Sequence, residues 1–262
     1  LDVAIDAELS PEAAGELVAR ALAESPGHAV MRDLFRNTFA LQLNGGTVKL
    51  ADQEHSPNTL FPDPLAGFDA IRPTPTGHFH PSIISKTETV EVQHGVTGGA
   101  GSSLKAEQKR TLHVRSDACL FDKDLLQTDI RLFQPLGSSF RFLSDIGTGD
   151  TAPPPLAYLS AGIGFCYMTQ LGRYAHITKQ KLESMRIVQI NGYKQSGTAG
   201  PNAAATAVDT HVYIDADESE DVARKSVKMG EQTCFLHASM REAYPTVLRA
   251  TLNGKPLPVP AA

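Results

Sequence analysis

The sequence of 262 residues has no tryptophan and only three cysteines, Cys119, Cys166 and Cys234. Three is an odd number, the cysteines lie far apart along the chain, and no CxxC motif occurs. Neither a disulfide scaffold nor a zinc knuckle is therefore indicated. Any cysteine chemistry in this protein must rest on individual thiols.

Basic charge and long apolar runs are scarce as well. The chain has 24 Lys and Arg against 29 Asp and Glu, a net charge of −5, and no basic run with interleaved aromatic residues, so nucleic acid is not an expected partner. No apolar run approaches the roughly 18–20 residues that span a bilayer, and no membrane contact is expected. Residues 1–9 lack the basic start and apolar centre of a signal peptide, which predicts a cytoplasmic protein. Because the chain does not begin with Met, we expect it to be trimmed or processed, and a removed targeting segment stays open.

The first hundred residues have mixed local signals. Ser10-Pro11 predicts a helix over 11–24, a second helical stretch follows over about 28–37, and Asn44-Gly45-Gly46 predicts a hairpin turn. Residues 56–103 are rich in Pro and Gly and read as a long surface excursion. We therefore interpret residues 1–104 as an N-terminal extension and residues 105–262 as the main domain.

The second part of the chain has a regular pattern. Alternating apolar and polar residues predict strands at 110–115, 128–133 and 139–143. A nearly uncharged segment predicts a buried helix over 156–176, and strands follow at 182–194 and 205–215. A second helix is expected from about 217–220 to Glu242, and a last strand over 247–252. This order indicates an α+β fold, without the βαβ alternation of a doubly wound sheet.

Two of the cysteines fall on the two long helices of this region. Leu159, Ile163 and Cys166 share one helical stripe, which places this thiol inside the protein. Cys234 is available for the inner face of the second helix, whereas Cys119 is expected to be a core residue on a strand. A buried free cysteine usually acts as a small apolar residue. If the two helices pack together, however, Cys166 and Cys234 could form a peroxide-reducing pair.

The histidines offer further hypotheses. His78 and His80 have HxH spacing and could bind a metal with His94, His113 or Asp63, although such loop histidines are usually only polar surface residues. We therefore assign no metal site. His237 lies three residues after Cys234 and could act as a base toward a thiol, or be a histidine of the core. 

Residues 153–166, the proline-led segment ending in Cys166, resemble the corresponding segment of the osmotically inducible protein C / organic hydroperoxide resistance (OsmC/Ohr) superfamily. Residues 231–234, followed by Ser239-Met240 and the strand from Val247, are similar to the second-cysteine helix and last strand of that family. The resemblance covers about 105–258. It implies an OsmC-like fold, with antiparallel sheets packed around a buried central cysteine-bearing helix, in an intertwined homodimer.

The same resemblance implies a peroxidase of the oxidative-stress response, an oxidoreductase that needs no cofactor. Cys166 would attack an organic hydroperoxide, Cys234 would resolve the product, and a dithiol reductant would restore both thiols. Arg141 is the candidate for the arginine that stabilises the thiolate, with Arg131 and Arg115 as competitors. The residues expected to bind the substrate are Tyr158, Leu159, Ile163 and Phe165, with Met168 adding to an apolar lining.

One departure from the family pattern is important. Well-characterised members have a glutamate nine or ten positions before the first cysteine, where this chain has Leu156 and Ala157. Asp145, Asp150 or Tyr158 could take its place. The departure leaves two alternatives open, which are a thiol enzyme acting on a non-peroxide electrophile and a non-enzymatic dimeric protein that binds an apolar ligand.

Overall fold

The computed structural model describes residues 1–33, 36–70, 83–88, 113–134, 139–194, 202–243 and 246–259. The chain forms two compact units, which we call unit 1 (Leu1–Ile71 with Leu159–Ala262) and unit 2 (Arg72–Tyr158). These units do not coincide with a division at residue 104. The first seventy residues belong to the same unit as the C-terminal half, because strands from both parts pair in one sheet.

The helices and strands follow one another in a mixed order. The helices are α1 (Pro11–Ala23), α2 (Pro26–Arg32), α3 (Leu65–Ala70), α4 (Pro155–Ile177), α5 (Glu220–Thr233) and α6 (Phe235–Met240). The strands are β1 (Asp2–Ile5), β2 (Asn37–Leu43), β3 (Gly46–Val48), β4 (Glu54–His55), β5 (Ile84–Glu88), β6 (His113–Asp122), β7 (Leu125–Gln134), β8 (Ser139–Asp145), β9 (Leu182–Lys194), β10 (Ala204–Ala216), β11 (Arg249–Leu252) and β12 (Lys255–Leu257). The α+β class is confirmed. None of the described helices is long and apolar enough to cross a membrane.

The main sheet of unit 1 has the strand order β3-β2-β10-β9, with β4 also beside β2. β10 is antiparallel to β9 but parallel to β2, with Phe39 opposite Thr210. The expectation of purely antiparallel sheets is therefore wrong for this sheet. The long stretch of chain between β2 and β10 permits this pairing, because parallel strands need a long crossover connection. Phe39 and Leu41 of β2 are buried in the core together with Val212.

A second, smaller sheet of unit 1 joins the two ends of the chain. Its order is β1-β11-β12, with β1 parallel to β11. Ala14 and Val18 of α1 pack on this sheet against Ala250, Leu252 and Leu257. The sequence patterns predicted α1 and most of β11 but neither β1 nor β12, which are short and have little periodicity.

Unit 2 contains an antiparallel sheet with the order β5-β8-β7-β6. β6 and β7 form a long hairpin. The strands predicted in this region are present, but they are longer than expected. Cys119 lies on β6 and is exposed, so its expected place in a core is wrong. Residues 115–122 of this edge strand are exposed on both faces, which alternation alone does not reveal.

Two further expectations for the N-terminal residues need correction. The second helical stretch ends at Arg32, and Asn37 already begins β2, because residues 37–43 suit a buried strand with apolar side chains at alternate positions. The start of the predicted surface excursion is not a free loop. Ser56 hydrogen-bonds to Asp209 at 2.8 Å, and the hydroxyl of Tyr213 donates to the carbonyl of Phe61 at 2.7 Å. Residues 71–82 and 89–112 lie outside the described residues.

The long helix α4 matches its prediction closely in extent. It is not buried on most sides, however, because one stripe containing Ala161, Phe165 and Thr169 is exposed, and Phe165 keeps 69% of its surface accessible. Its inner side packs against α5. A Cβ atom on Gly230 of α5 would lie 3.1 Å from the ring of Tyr167, so glycine permits this close approach of the two helices.

This packing predicts opposite effects for two glycine-to-alanine substitutions. Gly230→Ala forces the new methyl group against the Tyr167 ring and should lower the free energy of unfolding by about 1–3 kcal/mol. Gly162→Ala on α4 meets nothing within 4 Å and should be neutral or stabilise by up to about 1 kcal/mol. Urea denaturation of both variants measures the difference. Equal effects would contradict the close packing at Gly230.

Candidate active site

The helix that was expected to carry Cys234 is broken at this residue. α5 ends at Thr233, Cys234 has an extended backbone (φ −74°, ψ 118°), and α6 begins at Phe235. The expectation of one helix reaching Glu242 is therefore wrong. The amide of Cys234 still closes α5 by donating to the carbonyl of Gly230 at 3.0 Å, and its carbonyl accepts from Ala238 at 2.9 Å. Cys234 thus belongs to both helices and places its buried side chain at their junction.

Cys166 packs against the core cluster that contains Cys234, and a hydrogen bond between the two thiols is the main cause of the shifted pKa of Cys166. Cys166 comes directly before Tyr167, the residue that contacts Gly230, and the Tyr167 hydroxyl donates to the carbonyl of Val227 at 3.3 Å. These contacts fix α4 against α5 and bring the two sulfur atoms together. Both cysteines are free thiols in this structure, with Cys166 partly exposed and Cys234 buried. The sequence-based expectation that the two thiols meet agrees with this geometry.

The hydrogen bond from Cys234 lowers the pKa of Cys166 to about 6, even though burial acts in the opposite direction. The backbone amides of Leu236 and Phe235 also stabilise its thiolate. These amides belong to the first turn of α6, where helical N–H groups have no partner within the helix. Cys166 is therefore mainly ionised at neutral pH, as a nucleophilic cysteine needs to be.

The pKa of Cys234 moves in the other direction. The neighbouring Cys166 sulfur raises it most, and burial of the side chain raises it further. A thiolate at Cys166 disfavours a second negative charge on Cys234. It also accepts a hydrogen bond from the protonated Cys234 thiol, which favours that protonated form. Of the two thiols, Cys166 is therefore the one that ionises first, while Cys234 retains its proton.

His237 is completely buried beside this pair. Its Nδ1 atom lies 3.1 Å from the sulfur of Cys234. Burial, and secondarily the positive charge of Arg241, lowers the pKa of His237 to about 4. The ring is consequently neutral at pH 7. A base this weak binds few protons under such conditions, which argues against the proposed role of His237 as a general base.

Arg141, the expected thiolate-stabilising residue, lies on β8 in unit 2. Its guanidinium donates to both carboxylate oxygens of Asp129 on β7, at 2.8 and 2.9 Å. The hydrogen bond from Arg141 lowers the pKa of Asp129. Asp129 was not among the residues predicted from the sequence, although it lies directly opposite Arg141 in the pairing of β7 with β8.

The candidates for the missing glutamate are occupied by local contacts. Asp145 is buried and accepts from the amides of Gly147 at 2.8 Å and Thr151 at 3.2 Å, which lowers its pKa. The Tyr158 hydroxyl donates to the carbonyl of Leu143 at 2.8 Å. Asp150 is exposed. Asp145 and Tyr158 therefore stabilise the loop and helix start within unit 2.

The residues expected to bind substrate have different environments. Ile163 is 1% exposed and packs with Val30, Val208 and Met240 in the core, and Leu159 packs against the same cluster. Phe165 instead points away from this core and is exposed. A single chain thus offers Phe165, but not Ile163, to a ligand.

A serine, a histidine and an aspartate also meet in unit 1, on the other face of the main sheet. Ser56 Oγ lies 2.9 Å from His211 Nε2 and donates to Asp209 at 2.8 Å. However, His211 Nδ1 accepts the amide hydrogen of Phe61 at 3.1 Å, so Nε2 must carry the proton of a neutral ring. His211 consequently donates toward Ser56 and has no free Nε2 lone pair to activate it. The cluster holds residues 56–61 on the sheet and is not a hydrolase triad.

Asp63, a proposed metal ligand, also has a structural partner. Its carboxylate accepts from both the Nε atom and a terminal nitrogen of Arg186, a buried residue that also binds Asp215. The hydrogen bond from Arg186 lowers the pKa of Asp63. His78, His80 and His94 lie outside the described residues. Within the described part of the chain, no three His, Cys, Asp or Glu side chains form a group that could hold a metal ion.

The thiol pair predicts a defined pH dependence for Cys166. Its rate of alkylation by iodoacetamide should rise with a midpoint near pH 6 as the thiolate forms. Cys234→Ala removes the S–H donor and should shift this midpoint upward by about one unit, whereas Cys234→Ser retains a donor and should shift it less. Mass spectrometry of the Cys166 peptide gives the rates. An unchanged midpoint in Cys234→Ala would contradict the hydrogen bond between the thiols.

Comparison with known proteins identifies the segment that carries both cysteines. Residues 147–249 match the family model OsmC, described as OsmC-like protein. No curated protein matches the chain. Two similar solved structures are an OsmC-like hydroperoxide resistance protein from Jannaschia sp. CCS1 (18% identity, 56% of this chain and 97% of that chain, TM-score 0.35) and an OsmC-like protein from Mycoplasma pneumoniae (13%, 55% and 99%, 0.41).

An organic hydroperoxide resistance protein from Elizabethkingia anophelis is similar at 15% identity, with 55% of this chain and 96% of that chain covered and a TM-score of 0.40. The family model includes α4, β9, β10, α5 and α6, and hence both Cys166 and Cys234. Residues 147–249 are therefore an OsmC-like segment of this chain.

Proposed function

We propose that this protein is a thiol-dependent peroxidase that reduces organic hydroperoxides. The observation that carries the proposal is the hydrogen-bonded pair of Cys166 and Cys234, in which one sulfur is ionised and partly exposed while the other is protonated and buried. A peroxide is attacked by a thiolate, and the product must then meet a second thiol. The pair supplies both groups at one place.

The proposed reaction has two steps in the protein. The Cys166 thiolate attacks the outer oxygen of the hydroperoxide, the O–O bond breaks, and the alkoxide takes a proton from water to leave as the alcohol. Cys166 is then a sulfenic acid. The Cys234 sulfur attacks the Cys166 sulfur, the S–O bond breaks, and the hydroxide leaves as water with the Cys234 proton. An external dithiol reduces the resulting disulfide and returns both thiols.

Other predicted residues have supporting roles in this proposal. The guanidinium of Arg141, held by Asp129, is the proposed stabiliser of negative charge. Phe165 would provide apolar contact to the organic group. Leu159 and Ile163 would fix the position of α4 through their packing in the core. We propose that Tyr158 also lies beside the substrate. A cytoplasmic location, where reduced dithiols are abundant, is part of the same proposal.

The peroxidase proposal predicts a specific disulfide. One equivalent of an organic hydroperoxide such as cumene hydroperoxide should convert reduced protein to the Cys166–Cys234 disulfide, as shown by peptide mapping. Cys166→Ser should abolish hydroperoxide consumption. Cys234→Ser should stop at the Cys166 sulfenic acid, which dimedone traps.

Cys119→Ser is the matched control, because this thiol is exposed on β6 and should not affect either step. A stable oxidised Cys166 in the unmodified protein, without a disulfide, would favour a non-peroxide electrophile as the natural substrate. Two unreactive thiols would refute both enzyme proposals and favour a protein that binds an apolar ligand.

We also propose that the protein is a homodimer in which a second copy packs along the exposed stripe of α4, so that Phe165 would contact both the partner and the substrate at the subunit interface. Phe165 has the largest exposed fraction, 69%, of the large apolar side chains in the described part of the chain. The family resemblance implies an intertwined dimer, and a stripe with the small residue Ala161 and the apolar Phe165 suits contact with a copy of itself.

The dimer proposal predicts that Phe165→Glu converts a dimer into a monomer. A charge buried at the interface would cost several kcal/mol, which is enough to dissociate many dimers. Light scattering after size-exclusion chromatography gives the mass. Leu17→Glu, at an apolar position of α1 with 54% exposure, is the matched control and should leave the mass unchanged. A dimer that persists in Phe165→Glu would refute this interface.

A further inference from the structure

His237 has an unusual environment for a histidine. Its ring is fully buried between aromatic side chains, with ring centres 5.9 Å from Phe39 and 5.3 Å from Tyr167. One nitrogen, Nδ1, contacts the sulfur of Cys234 at 3.1 Å. The other nitrogen, Nε2, is buried and has no hydrogen-bond partner among the described residues. The ring therefore has a single polar contact in this environment, and that contact is to a cysteine of the active site.

Three observations determine which nitrogen carries the proton. The ring is neutral because burial lowers its pKa to about 4, so only one nitrogen is protonated. An unpaired N–H in a buried site is less favourable than an unpaired acceptor, which places the bare lone pair on Nε2. The S–H of Cys234 is already donated to Cys166, so the Cys234 sulfur is an acceptor toward His237. The first observation limits the ring to one hydrogen, and the other two assign that hydrogen to Nδ1.

We infer that His237 is a positioning residue whose Nδ1–H holds the Cys234 sulfur and thereby directs the single S–H of Cys234 to Cys166. The hydrogen bonds run in one direction, from His237 to Cys234 to Cys166. This arrangement decides which sulfur is the nucleophile and which is the resolving thiol. Its catalytic importance rests on the proposed peroxidase function, although the hydrogen-bond chain itself does not.

This role differs from that of a general base. A base would accept the Cys234 proton and make Cys234 the thiolate, whereas a donor at Nδ1 leaves that proton for Cys166. The charged groups facing the cluster are Glu231 on α5 and Arg241 after α6, which pair with each other at 3.6 Å. From α4 the titratable neighbour is Tyr167, which burial keeps protonated by raising its pKa, and from β2 the neighbour is the apolar Phe39. None of these groups replaces the donor at Nδ1.

The test measures the pH profile of Cys166 alkylation in full-length protein with Cys119→Ser, so that the exposed third thiol does not react. His237→Leu removes the donor, whereas His237→Asn retains an N–H near the position of Nδ1. We expect His237→Leu to raise the Cys166 midpoint by about one unit, which lowers the alkylation rate about tenfold at pH 5 and leaves it unchanged at pH 9. His237→Asn should restore most of the shift. Circular dichroism checks that both variants are folded.

A double-mutant cycle with Cys234→Ala separates a direct effect from one that acts through Cys234. If the inference is right, His237→Asn and His237→Leu differ in a background with Cys234 and have the same midpoint once Cys234 is alanine. Equal midpoints for Asn and Leu in both backgrounds would overturn the inference, and so would a difference that persists in Cys234→Ala. If His237→Leu does not fold, His237→Gln, which places its amide near Nε2, serves as the variant without a donor at Nδ1.

This experiment is independent of peroxide turnover. Iodoacetamide reports the ionisation of Cys166 whether or not the protein consumes hydroperoxide. A wild-type protein that is inactive with hydroperoxides but has the expected midpoints would refute the proposed function and support the hydrogen-bond chain. An active peroxidase whose Cys166 midpoint is the same in the His237 variants would support the proposed function and refute the hydrogen-bond chain.

Discussion

The break between α5 and α6 at Cys234 is the constraint on which the thiol chemistry depends. In a continuous helix, the amides of Phe235 and Leu236 would donate to carbonyls one turn earlier. The extended backbone of Cys234 releases them from that role, and both amides then stabilise the Cys166 thiolate. The same break turns the Cys234 side chain inward. One local change of backbone conformation therefore supplies the donors for the nucleophile and the position of its partner.

The residues that pack around this break come from distant parts of the chain. Gly230 allows α5 to approach the ring of Tyr167, which fixes the distance between the helices next to Cys166. Phe39, from the N-terminal extension, contacts both Tyr167 and His237 at ring-centre distances of 5.6 and 5.9 Å. Since β2 pairs directly with β10, the extension supplies part of the core on which the candidate site rests. It is not an appendage to a complete domain.

The sequence predicted the parts of this arrangement that depend on local patterns. The extent of α4, the strands β9 and β10, and the meeting of Cys166 with Cys234 all followed from periodicity and family resemblance. The break at Cys234 did not, because neither Pro nor Gly marks it and residues 220–242 have an almost continuous helical pattern. The parallel pairing of β2 with β10 was also missed, since pairing between distant strands leaves no local signal. Cys119 is exposed because β6 is the edge strand of its sheet and residues 115–122 are exposed on both faces, and alternation does not show whether either face is covered.

Comparison of three polar clusters in unit 1 explains why we place the proposed chemistry at the cysteine pair. In the cluster around Asp209, the Ser56 hydroxyl and the Phe61 amide both donate hydrogen bonds. In the cluster around Arg186, the guanidinium donates to two carboxylates. Both clusters connect segments that are distant along the chain. Both are stabilising arrangements without a free nucleophile. The cysteine cluster instead holds one proton between two sulfur atoms and keeps the deprotonated sulfur partly accessible. In the proposed reaction, an electrophile that reaches Cys166 would therefore meet an ionised nucleophile with a protonated thiol beside it.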